Sequence, residues 1–476
     1  MASEQAAWIP EIGDRRKPVY LAIADAIADD VRSGRLAPGQ RLPPQRLLAE
    51  QVGLDFTTVS RAYSEARRRG LVDARVGQGT FVRAPAPAPA PRPAGRSSPA
   101  AAGFVDMTMN QPPLPDSPDL LERLRRGMEA VVSGIGLADM LRYPEAGDPM
   151  EDRAAGAHWL RHRLPNTPVE RIVVAPGTQG ALLALLSALA RPGDTVCAEA
   201  LTYPGFKAVA AQLGLRVVDA AMDEDGVDAD ALRRVFAEHR PKAFYCMPTL
   251  HNPTTATMPL ERRQAVVAAA RDAGVPIIED DIYGTLPESA PPPLAALAPD
   301  LTWCVAGLAK CVSPALRIAY VVAPDARHAM RLVAAQRATT LMASPVTAAI
   351  ARRWITDGTA EAVRDGIRAE AMARRALAES ILPAGSFLTK REAFHLWLRL
   401  PEAWTRGEFA THLRTRGIAA VVSDTFAVAV GGATQAPPEA LRICLGAPAD
   451  RAETRRVLEI LTDALDQFPA SAAVII

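Results

Sequence analysis

Residues 84–102 read APAPAPAPRPAGRSSPAAA, and this segment divides the chain into two parts. Alternating alanine and proline favour extended polyproline geometry, and the segment has no large apolar side chain that could join a hydrophobic core. We therefore predict a linker here, with parts that fold separately on either side. The chain is large enough for this, because 476 residues of which 49% are hydrophobic can build more than one core.

Positive charge is concentrated ahead of this linker. The whole chain carries 54 basic and 53 acidic residues, for a net charge of +1. Residues 14–83 alone contain 13 Lys and Arg against 8 Asp and Glu, which leaves this part at +5 and the remainder at −4. A positive surface is what the phosphate backbone of a nucleic acid requires, so the N-terminal part is the candidate for binding one.

The cysteines and the apolar runs argue against other classes of protein. Five cysteines are scattered without a CxxC pair or the spacing of a zinc site, so we expect reduced thiols and no bound metal. The N-terminus lacks the apolar run of a signal peptide, and ALLALLSALA at 181–190 is too short to span a bilayer. These features predict a soluble, cytoplasmic protein that does not bind membranes.

Three helices and a β-hairpin are predicted between residues 18 and 83. The helices run from near Pro18 to Ser33, from after Pro44 to Gly53, and from the cap Asp55 to Arg69. The apolar positions expected to pack are Tyr20, Ile23, Ile27, Val31, Leu47, Leu48 and Val52. After Gly70, LVDARVGQGTFVR predicts two short strands around a glycine-rich tip, which is the form of a wing.

This segment resembles the DNA-binding domain of GntR-type regulators. The resemblance runs through KPVYLAIADAIADDVRSGRLAPGQRLPPQRLLAEQVGLDFTTVSRAYSEARRRGLV and GQGTFV. It implies a winged helix-turn-helix that binds double-stranded DNA with its third helix in the major groove. By the same resemblance, Arg46 and Arg61 contact DNA, the hydroxyls of Thr57 and Thr58 hold phosphates, and Gly79 lets the wing approach the duplex.

One part of the motif departs from the family, and some of its arginines have a second interpretation. The family commonly has Ser-Arg before the paired threonines, whereas this chain has Asp55 and Phe56. The change removes a cation and adds a carboxylate, which leaves the base preference at this position open. The run 67–69 is three arginines at a helix end, where they also suit the helix dipole, so a structural role stays open for them.

Beyond residue 172, β-rich runs alternate with helical patterns. The β-rich runs are IVVA, TVCAE, RVVDA, AFYCM and PIIED, and the helical ones are GALLALLSALA, DADALRRVFAEH and LERRQAVVAAARDAG. Such alternation predicts an α/β fold in which helices cover both faces of a mostly parallel sheet. Polar groups at the carboxyl ends of these strands are then the candidates for a ligand site.

Three segments of this second part carry chemistry. GLAKCVSPALRIAYVVAP places Lys310 in an apolar setting, which lowers the pKa of an ammonium group, with Arg317 seven residues on to meet a phosphate. PIIEDDIYGTL ends a buried strand in carboxylates that include Asp280. In VVAPGTQGALLALL, a helix starts after a glycine turn, so N–H groups near Thr178 and Gln179 can cradle a phosphate.

With MPTLHNPTTATM between them, these segments resemble the fold-type I aminotransferases that depend on pyridoxal 5′-phosphate (PLP), across about 104–465. The resemblance implies that Lys310 bonds PLP as a Schiff base and that Asp280 holds the proton of the pyridine nitrogen. It further implies that Asn252 donates to the 3-oxygen of PLP, that Tyr283 supports the same oxygen, and that Tyr203 stacks on the ring.

The same resemblance assigns two further residues and shows two departures. Arg442 matches the arginine that grips the α-carboxylate of a substrate, and Tyr143 matches a tyrosine that reaches the phosphate of the partner chain in a homodimer. The family usually has serines where this chain has Gly307 and Ala309, so a hydroxyl contact to the phosphate is expected to be missing. Its NPTG motif is Asn-Pro-Thr-Thr here, at 252–255.

The order of both parts and the linker resemble the MocR subfamily of GntR-type regulators. We predict a winged helix-turn-helix at 14–83, a linker at 84–102 and an aminotransferase-like domain at 103–476. The large part of this domain is expected at about 146–325, and the small part at about 326–476 plus the N-terminal arm. The resemblance implies a homodimeric transcriptional regulator of bacterial cytoplasm and nucleoid that senses a small amino-group effector through aldimine exchange on Lys310.

Two other functions remain open from the sequence. The chain is an active aminotransferase of amino acids with an accessory DNA-binding module if the nearly complete set of site residues turns over substrate. It is a DNA-binding scaffold if the pocket is vestigial and binds no PLP.

Overall fold

The computed structural model describes residues 8–10, 18–37, 39–69, 71–75, 79–82, 103–134, 140–143, 148–428 and 436–467. The predicted linker, Gly70 and the glycine-rich tip of the wing at 76–78 lie outside these ranges. The chain forms two compact units, Met1–Pro99 and Ala100–Ile476. No helix within the described ranges is long and apolar enough to cross a membrane.

The first unit contains three helices and a two-stranded hairpin, as predicted. Its elements are α1 (Val19–Ser33), α2 (Gln45–Val52), α3 (Phe56–Arg68), β1 (Val72–Arg75) and β2 (Gly79–Val82). α1 and α2 each end at a glycine with positive φ, Gly34 and Gly53, which a left-handed helix cap favours. α3 begins after Asp55, whose side chain accepts a hydrogen bond from the Thr58 N–H, so the predicted cap is confirmed.

The core of this unit is built mainly from the predicted helix faces. Ile23 and Ile27 of α1 and Leu48 of α2 are fully buried, and Val59 of α3 packs in the same cluster. The prediction that Leu47 is buried is wrong, because its side chain is 42% exposed. Leu48 and Ala49 supply the buried positions of this eight-residue helix, which leaves Leu47 on its outer side.

The second unit is organised around a seven-stranded sheet. Its strands in chain order are β4 (Ile172–Ala175), β5 (Thr195–Glu199), β6 (Arg216–Ala220), β9 (Phe244–Cys246), β10 (Ile277–Asp280), β11 (Thr302–Gly307) and β12 (Ala319–Val322). They lie in the order β4-β12-β11-β10-β9-β5-β6. Within this sheet only β12 runs antiparallel to its neighbours, so the predicted mostly parallel α/β sheet is confirmed.

Helices cover both faces of this sheet. Within the described ranges, the helices of the second unit are α4 (Pro118–Val132), α5 (Met150–Leu160), α6 (Gly177–Leu189), α7 (Pro204–Gln212), α8 (Ala229–His239), α9 (Leu260–Ala273), α10 (Leu294–Leu297), α11 (Ala326–Thr339), α12 (Pro345–Thr356), α13 (Thr359–Ile381), α14 (Arg406–Thr415) and α15 (Arg451–Leu465). Neighbouring strand residues alternate between two apolar clusters, as Ile278 and Ile277 of β10 show. The strands are buried on both faces, which accounts for their continuous apolar sequences.

A smaller antiparallel sheet follows along the chain. The remaining strands are β3 (Val105–Asp106), β7 (Met222–Asp223), β8 (Gly226–Val227), β13 (Phe387–Leu388), β14 (His395–Arg399), β15 (Ile418–Ala419), β16 (Val421–Val422) and β17 (Ala440–Cys444). Four of them form the sheet β13-β14-β17-β16, and β7 pairs with β8. β3 pairs in parallel with β15, so the segment that follows the linker in sequence is held against the C-terminal part.

Candidate cofactor site and DNA-binding surface

Lys310 lies three residues beyond β11, where the parallel strands of the large sheet end. Its ammonium group donates a hydrogen bond to the backbone carbonyl of Asn110. Burial lowers the pKa of Lys310 from 10.5 to about 8, because a charged ammonium loses hydration inside the protein. A larger fraction of this amine is therefore neutral near pH 7 than for an exposed lysine, and the neutral amine is the nucleophile that attacks a carbonyl carbon.

Asp280 is the last residue of the neighbouring strand β10 and is almost fully buried. Its carboxyl accepts hydrogen bonds from the Tyr245 hydroxyl at 2.9 Å and from the Ile282 N–H at 3.3 Å. Burial raises the pKa of Asp280 to about 7, and the charge of Lys310 acts in the opposite direction. A protonated ring nitrogen placed here would compensate the buried carboxylate.

The first turn of α6 forms a concave site for an anion. Gly177 opens it with a φ of +76°, and the guanidinium Nη2 of Arg317 lies 3.2 Å from the position that a Gly177 β-carbon would occupy. The Thr178 hydroxyl oxygen is buried without a hydrogen-bond partner among the described residues. A helix N-terminus, a guanidinium group and an unpaired hydroxyl therefore meet at the predicted phosphate cradle.

Gln179 and Tyr203 are also brought together at this helix start. The Tyr203 hydroxyl donates to the Gln179 side-chain oxygen at 3.2 Å, and the Gln179 amide nitrogen donates to the Gly205 carbonyl at 3.1 Å. Burial is the main cause that raises the pKa of Tyr203, and the carboxylate of Asp280 adds to it. These bonds hold the phenol ring, which is the predicted stacking partner of the cofactor.

Gly307 stands where the related enzymes usually carry a serine. A β-carbon at this position would lie 2.4 Å from the Thr178 hydroxyl oxygen, which is closer than unbonded atoms can approach. The Thr178 hydroxyl thus occupies the space beside Gly307. The departure noted in the sequence has a counterpart in the structure, because a neighbouring residue supplies a hydroxyl at this place.

Arg442 of β17 is a buried cation, with only 4% of the residue exposed. Its Nη1 donates to the side-chain oxygen of Asn252 at 3.0 Å, and its Nη2 donates to the backbone carbonyl of Thr108. Within the described ranges, its Nε has no hydrogen-bond partner, and no carboxylate forms an ion pair with it. Burial lowers the pKa of Arg442, and an anion at this place would relieve that cost.

The segment Thr108–Asn110 is part of the site, and sequence reasoning missed it. Its carbonyls accept hydrogen bonds from the two cations Lys310 and Arg442, and the Asn110 side-chain nitrogen donates to the Tyr283 hydroxyl at 2.7 Å. Tyr245, the partner of Asp280, was missed as well. The backbone carbonyls leave no signal in a sequence, whereas Tyr245 is a polar-tipped residue in the buried strand next to Asp280.

Tyr143 does not join this cluster in the described part of the chain. It is 74% exposed, and so is Leu141 at 73%. Both residues line an open hollow of about 800 Å³ together with Met342, Pro345 and Val346. A partner chain could cover such a surface, so the assignment of Tyr143 to a dimer interface stays a prediction.

The start of α3 is organised by Asp55. The hydroxyls of Thr57 and Thr58 both donate to its carboxylate, as does the Thr58 N–H at 2.9 Å. These hydrogen bonds hold the pKa of Asp55 well below its usual range, so the carboxylate is charged at neutral pH. Both threonine hydroxyls, which were predicted to hold phosphates, are thus engaged within the protein in this structure.

The predicted arginines of the first unit are exposed. The Arg46 guanidinium lies 5.8 Å from the centre of the Phe56 ring, and that of Arg61 lies 4.4 Å from the centre of the Tyr20 ring. Gly79 has a φ of +117°, and a β-carbon there would lie 2.8 Å from the Nε of Arg41. Arg41 therefore stands beside the wing strand, and the sequence analysis did not single it out.

Other arginines of α3 have structural partners. Arg68 and Arg69 both form ion pairs with Glu65, and Arg69 also pairs with Asp25. These contacts favour the structural interpretation for that pair. Among the residues that the structure describes, no group of three or more His, Cys, Asp or Glu side chains is arranged to hold a metal ion.

The family model for class I and II aminotransferases matches residues 103–461 of this chain. The chain belongs to this family. A second model, for bacterial regulatory proteins of the gntR family, matches residues 19–82, which comprise the helices and hairpin of the first unit. This aminotransferase family member therefore carries a GntR-type DNA-binding domain ahead of its aminotransferase domain.

Relatives with the same organisation are named as regulators. The uncharacterized HTH-type transcriptional regulator YdeF of Bacillus subtilis (strain 168) is 29% identical over 462 residues, with 97% of each chain covered. The HTH-type transcriptional regulator TauR of Rhodobacter capsulatus is 28% identical over 427 residues, which cover 82% of this chain and 86% of TauR. The combination agrees with the MocR subfamily and supports a PLP-dependent, DNA-binding regulator.

The aminotransferase fold is shared with solved enzymes. LysN, an α-aminoadipate aminotransferase from Thermus thermophilus, superimposes with a TM-score of 0.67 at 23% identity, over 76% of this chain and 92% of its own. The family implies PLP as the cofactor. The residues present fit it, since the unpaired Thr178 hydroxyl, the cradle left open at Gly177 and the buried Asp280 match a phosphate and a ring nitrogen.

Proposed function

We propose that this protein is a transcriptional regulator whose signal is a change in the amine bonded to PLP. PLP supplies an aldehyde that bonds reversibly to amines. Lys310 is the amine of the chain that would hold this aldehyde, and the amino group of a small effector would compete with Lys310 for it. The lowered pKa of Lys310 supports this role, because a neutral amine forms and releases such a bond readily.

The other site residues hold and orient the cofactor in this proposal. Asp280 receives the pyridine nitrogen, and Tyr203 lies on the ring face. The N–H groups of Thr178 and Gln179, the Thr178 hydroxyl and Arg317 bind the phosphate. Asn252 and Tyr283 contact the 3-oxygen.

The observation that carries the proposal is the buried guanidinium of Arg442, which has no carboxylate partner among the described residues. A buried cation without a carboxylate partner among the described residues favours an anionic ligand, and a bidentate fork suits a carboxylate. We infer that the effector carries a carboxylate beside its amine, so that one molecule would contact Arg442 and take the place of Lys310 on the cofactor.

The contacts of Thr108 and Asn110 suggest how binding is transmitted. Their carbonyls accept from the same two cations that the effector would engage. An effector carboxylate that draws Arg442 away would remove its bond to Thr108, whereas the amine of Lys310, once displaced from the cofactor, would be free to donate to Asn110. Because β3 begins at Val105, only three residues after the predicted linker, a shift of this segment acts directly on the chain that leads to the DNA-binding domain.

A spectroscopic experiment tests the proposal. The purified full-length protein is saturated with PLP, its visible absorbance is followed against a panel of amino acids and simple amines, and borohydride is added to fix the bonded amine for peptide mapping. We expect the tag on Lys310 without effector, and its loss when a carboxylate-bearing amine saturates the site. Arg442→Lys keeps the charge and serves as the matched variant. It should weaken the binding of amino acids but not the binding of simple amines.

Two results would count against the proposal. A chain that binds no PLP would instead be a DNA-binding scaffold with a vestigial pocket. A tag on a residue other than Lys310 would remove this lysine from the site.

A second candidate is an active aminotransferase with an accessory DNA-binding module. The observation that favours it is that Lys310 and Asp280 are both present and buried at the ends of neighbouring strands, on a fold shared with LysN. Sustained turnover of an amino acid with a keto acid, without binding to any specific DNA sequence, would establish this function in place of the first.

The proposal includes a homodimer in the bacterial cytoplasm that associates with the nucleoid when bound to double-stranded DNA. Tyr143 would then reach the phosphate in the partner chain, and the exposed apolar residues Leu121, Met128 and Val132 of α4 support a buried contact. Sedimentation of the full-length chain tests the dimer. Arg46, Arg61, Thr57, Thr58 and Gly79 are proposed to contact the DNA.

A further inference from the structure

Phe56 is an exposed aromatic residue at the first position of α3. It is 46% exposed, in a helix whose other large apolar residues, Val59 and Tyr63, are buried. It borders a hollow of about 280 Å³ that Arg41, Arg46, Pro44 and Gly79 also line. An apolar ring at this place contributes little to the fold of the unit, so its exposed face is free to contact a ligand.

The polar groups around Phe56 limit what it can contact. The carboxylate of Asp55 is charged and accepts from both neighbouring threonine hydroxyls, so these hydroxyls are not free donors for phosphates in this structure. The cations nearby are Arg46, over the Phe56 ring, and Arg41, beside Gly79. The Phe56 ring and both arginines therefore line the same hollow, an arrangement that suits a base edge with phosphate groups near it.

Only one natural base edge in the major groove of unmodified DNA carries an apolar group. Thymine presents a C5-methyl group, whereas the edges of the other bases present mainly hydrogen-bond donors and acceptors, which a phenyl ring cannot satisfy. A phenyl ring packed over the methyl group removes both groups from water. Burial of one methyl carbon in this way corresponds to about a fourfold difference in affinity. A ring over a guanine or adenine edge would leave polar atoms without partners.

We propose that Phe56 selects a thymine in each half-site of the operator through its C5-methyl group. This inference rests on the proposed DNA-binding function and deepens it. It assigns a specificity-determining residue at the position where Arg is common in the family, and it replaces a hydrogen-bonding contact by an apolar one.

Deoxyuridine tests the contact, because it differs from thymidine only by the absent methyl group. The full-length protein first selects its site from randomised duplexes, and each thymidine of that site is then replaced in turn. For the unaltered protein, we expect one thymidine position in each half-site to respond, and a single replacement at that position to weaken binding about fourfold. In Phe56→Ala the same replacement should have no further effect, whereas the matched variant Leu47→Ala, which removes another exposed apolar side chain of this unit, should keep the full penalty.

A second selection gives an independent readout. Phe56→Arg restores a cation, and we expect the selected base at this position to change from thymine to guanine, since a guanidinium group donates to the guanine edge. The proposal is overturned if no deoxyuridine replacement weakens binding, or if the penalty persists in Phe56→Ala. Selection that enriches no sequence at all would instead refute the proposed DNA-reading function, and this inference with it.

Discussion

Gly307→Ser should weaken PLP binding, although it restores a residue that the related enzymes usually have. The added β-carbon would lie 2.4 Å from the Thr178 hydroxyl oxygen and 3.1 Å from a side-chain carbon of Ile282. Since β-carbons hardly ever approach other atoms closer than 3.0 Å, the Thr178 side chain must move by more than half an ångström. That movement takes its hydroxyl out of the phosphate cradle.

The expected loss of PLP affinity follows from the cost of overpacking a buried site, which is about 1 to 3 kcal/mol. If the bound state bears this cost, the dissociation constant for PLP rises about 5- to 150-fold. A spectrophotometric titration with PLP measures it, and Gly307→Ala, which adds the same β-carbon without a hydroxyl, should show a similar loss. Combining Gly307→Ser with Thr178→Ala removes the clash and should recover most of the affinity. Binding to Gly307→Ser that is as tight as in the unaltered protein would refute the reasoning.

Three further predictions concern Lys310, Asp280 and Gly79. The rate at which PLP-free protein binds PLP, followed by stopped-flow absorbance, should rise about fivefold from pH 7 to pH 8 and level off above about pH 9, because the pKa of Lys310 is lowered to about 8. A rate that continues to rise past about pH 10 would contradict this. The pKa of Asp280 is raised to about 7, so the folded state binds its proton more tightly than the unfolded state does. The free energy of unfolding of PLP-free protein, measured in urea, should therefore fall as the pH rises from about 4 to 7, and Asp280→Asn should flatten that slope. Gly79→Ala should weaken DNA binding and cost the first unit about 1 to 3 kcal/mol, because φ is +117° there, while PLP absorbance stays unchanged; unaltered melting of this unit would be inconsistent with that backbone strain.

The helices and strands were predictable where the sequence marks their ends clearly with turn or capping residues. IVVA and TVCAE are uninterrupted apolar runs bounded by Pro and Gly turns, and they match β4 and β5 residue for residue. Asp55 was recognised as a helix cap because its side chain has a local partner three residues away. Leu47 was misplaced because a helix of two turns has too few apolar positions to define its buried face.

The candidate site was predictable only as far as side chains identify it. Lys310, Asp280 and Arg442 are charged residues next to apolar strands, and such residues stand out. The backbone carbonyls of Asn110 and Thr108 are 200 and 334 residues away in sequence from Lys310 and Arg442, whose hydrogen bonds they accept. A residue of any type could supply such a carbonyl. The space at Gly307 likewise depends on Thr178, which the chain brings back from a distant helix.

We propose that the amine bonded to PLP controls DNA binding. This proposal is tested most directly by following operator binding, through fluorescence anisotropy, and PLP absorbance in the same titration with an amino-acid effector. We expect both signals to change with the same midpoint and Lys310→Ala to abolish the coupled change. An effector-dependent change in DNA affinity that persists in Lys310→Ala, or an absorbance change that saturates without any change in DNA affinity, would contradict it.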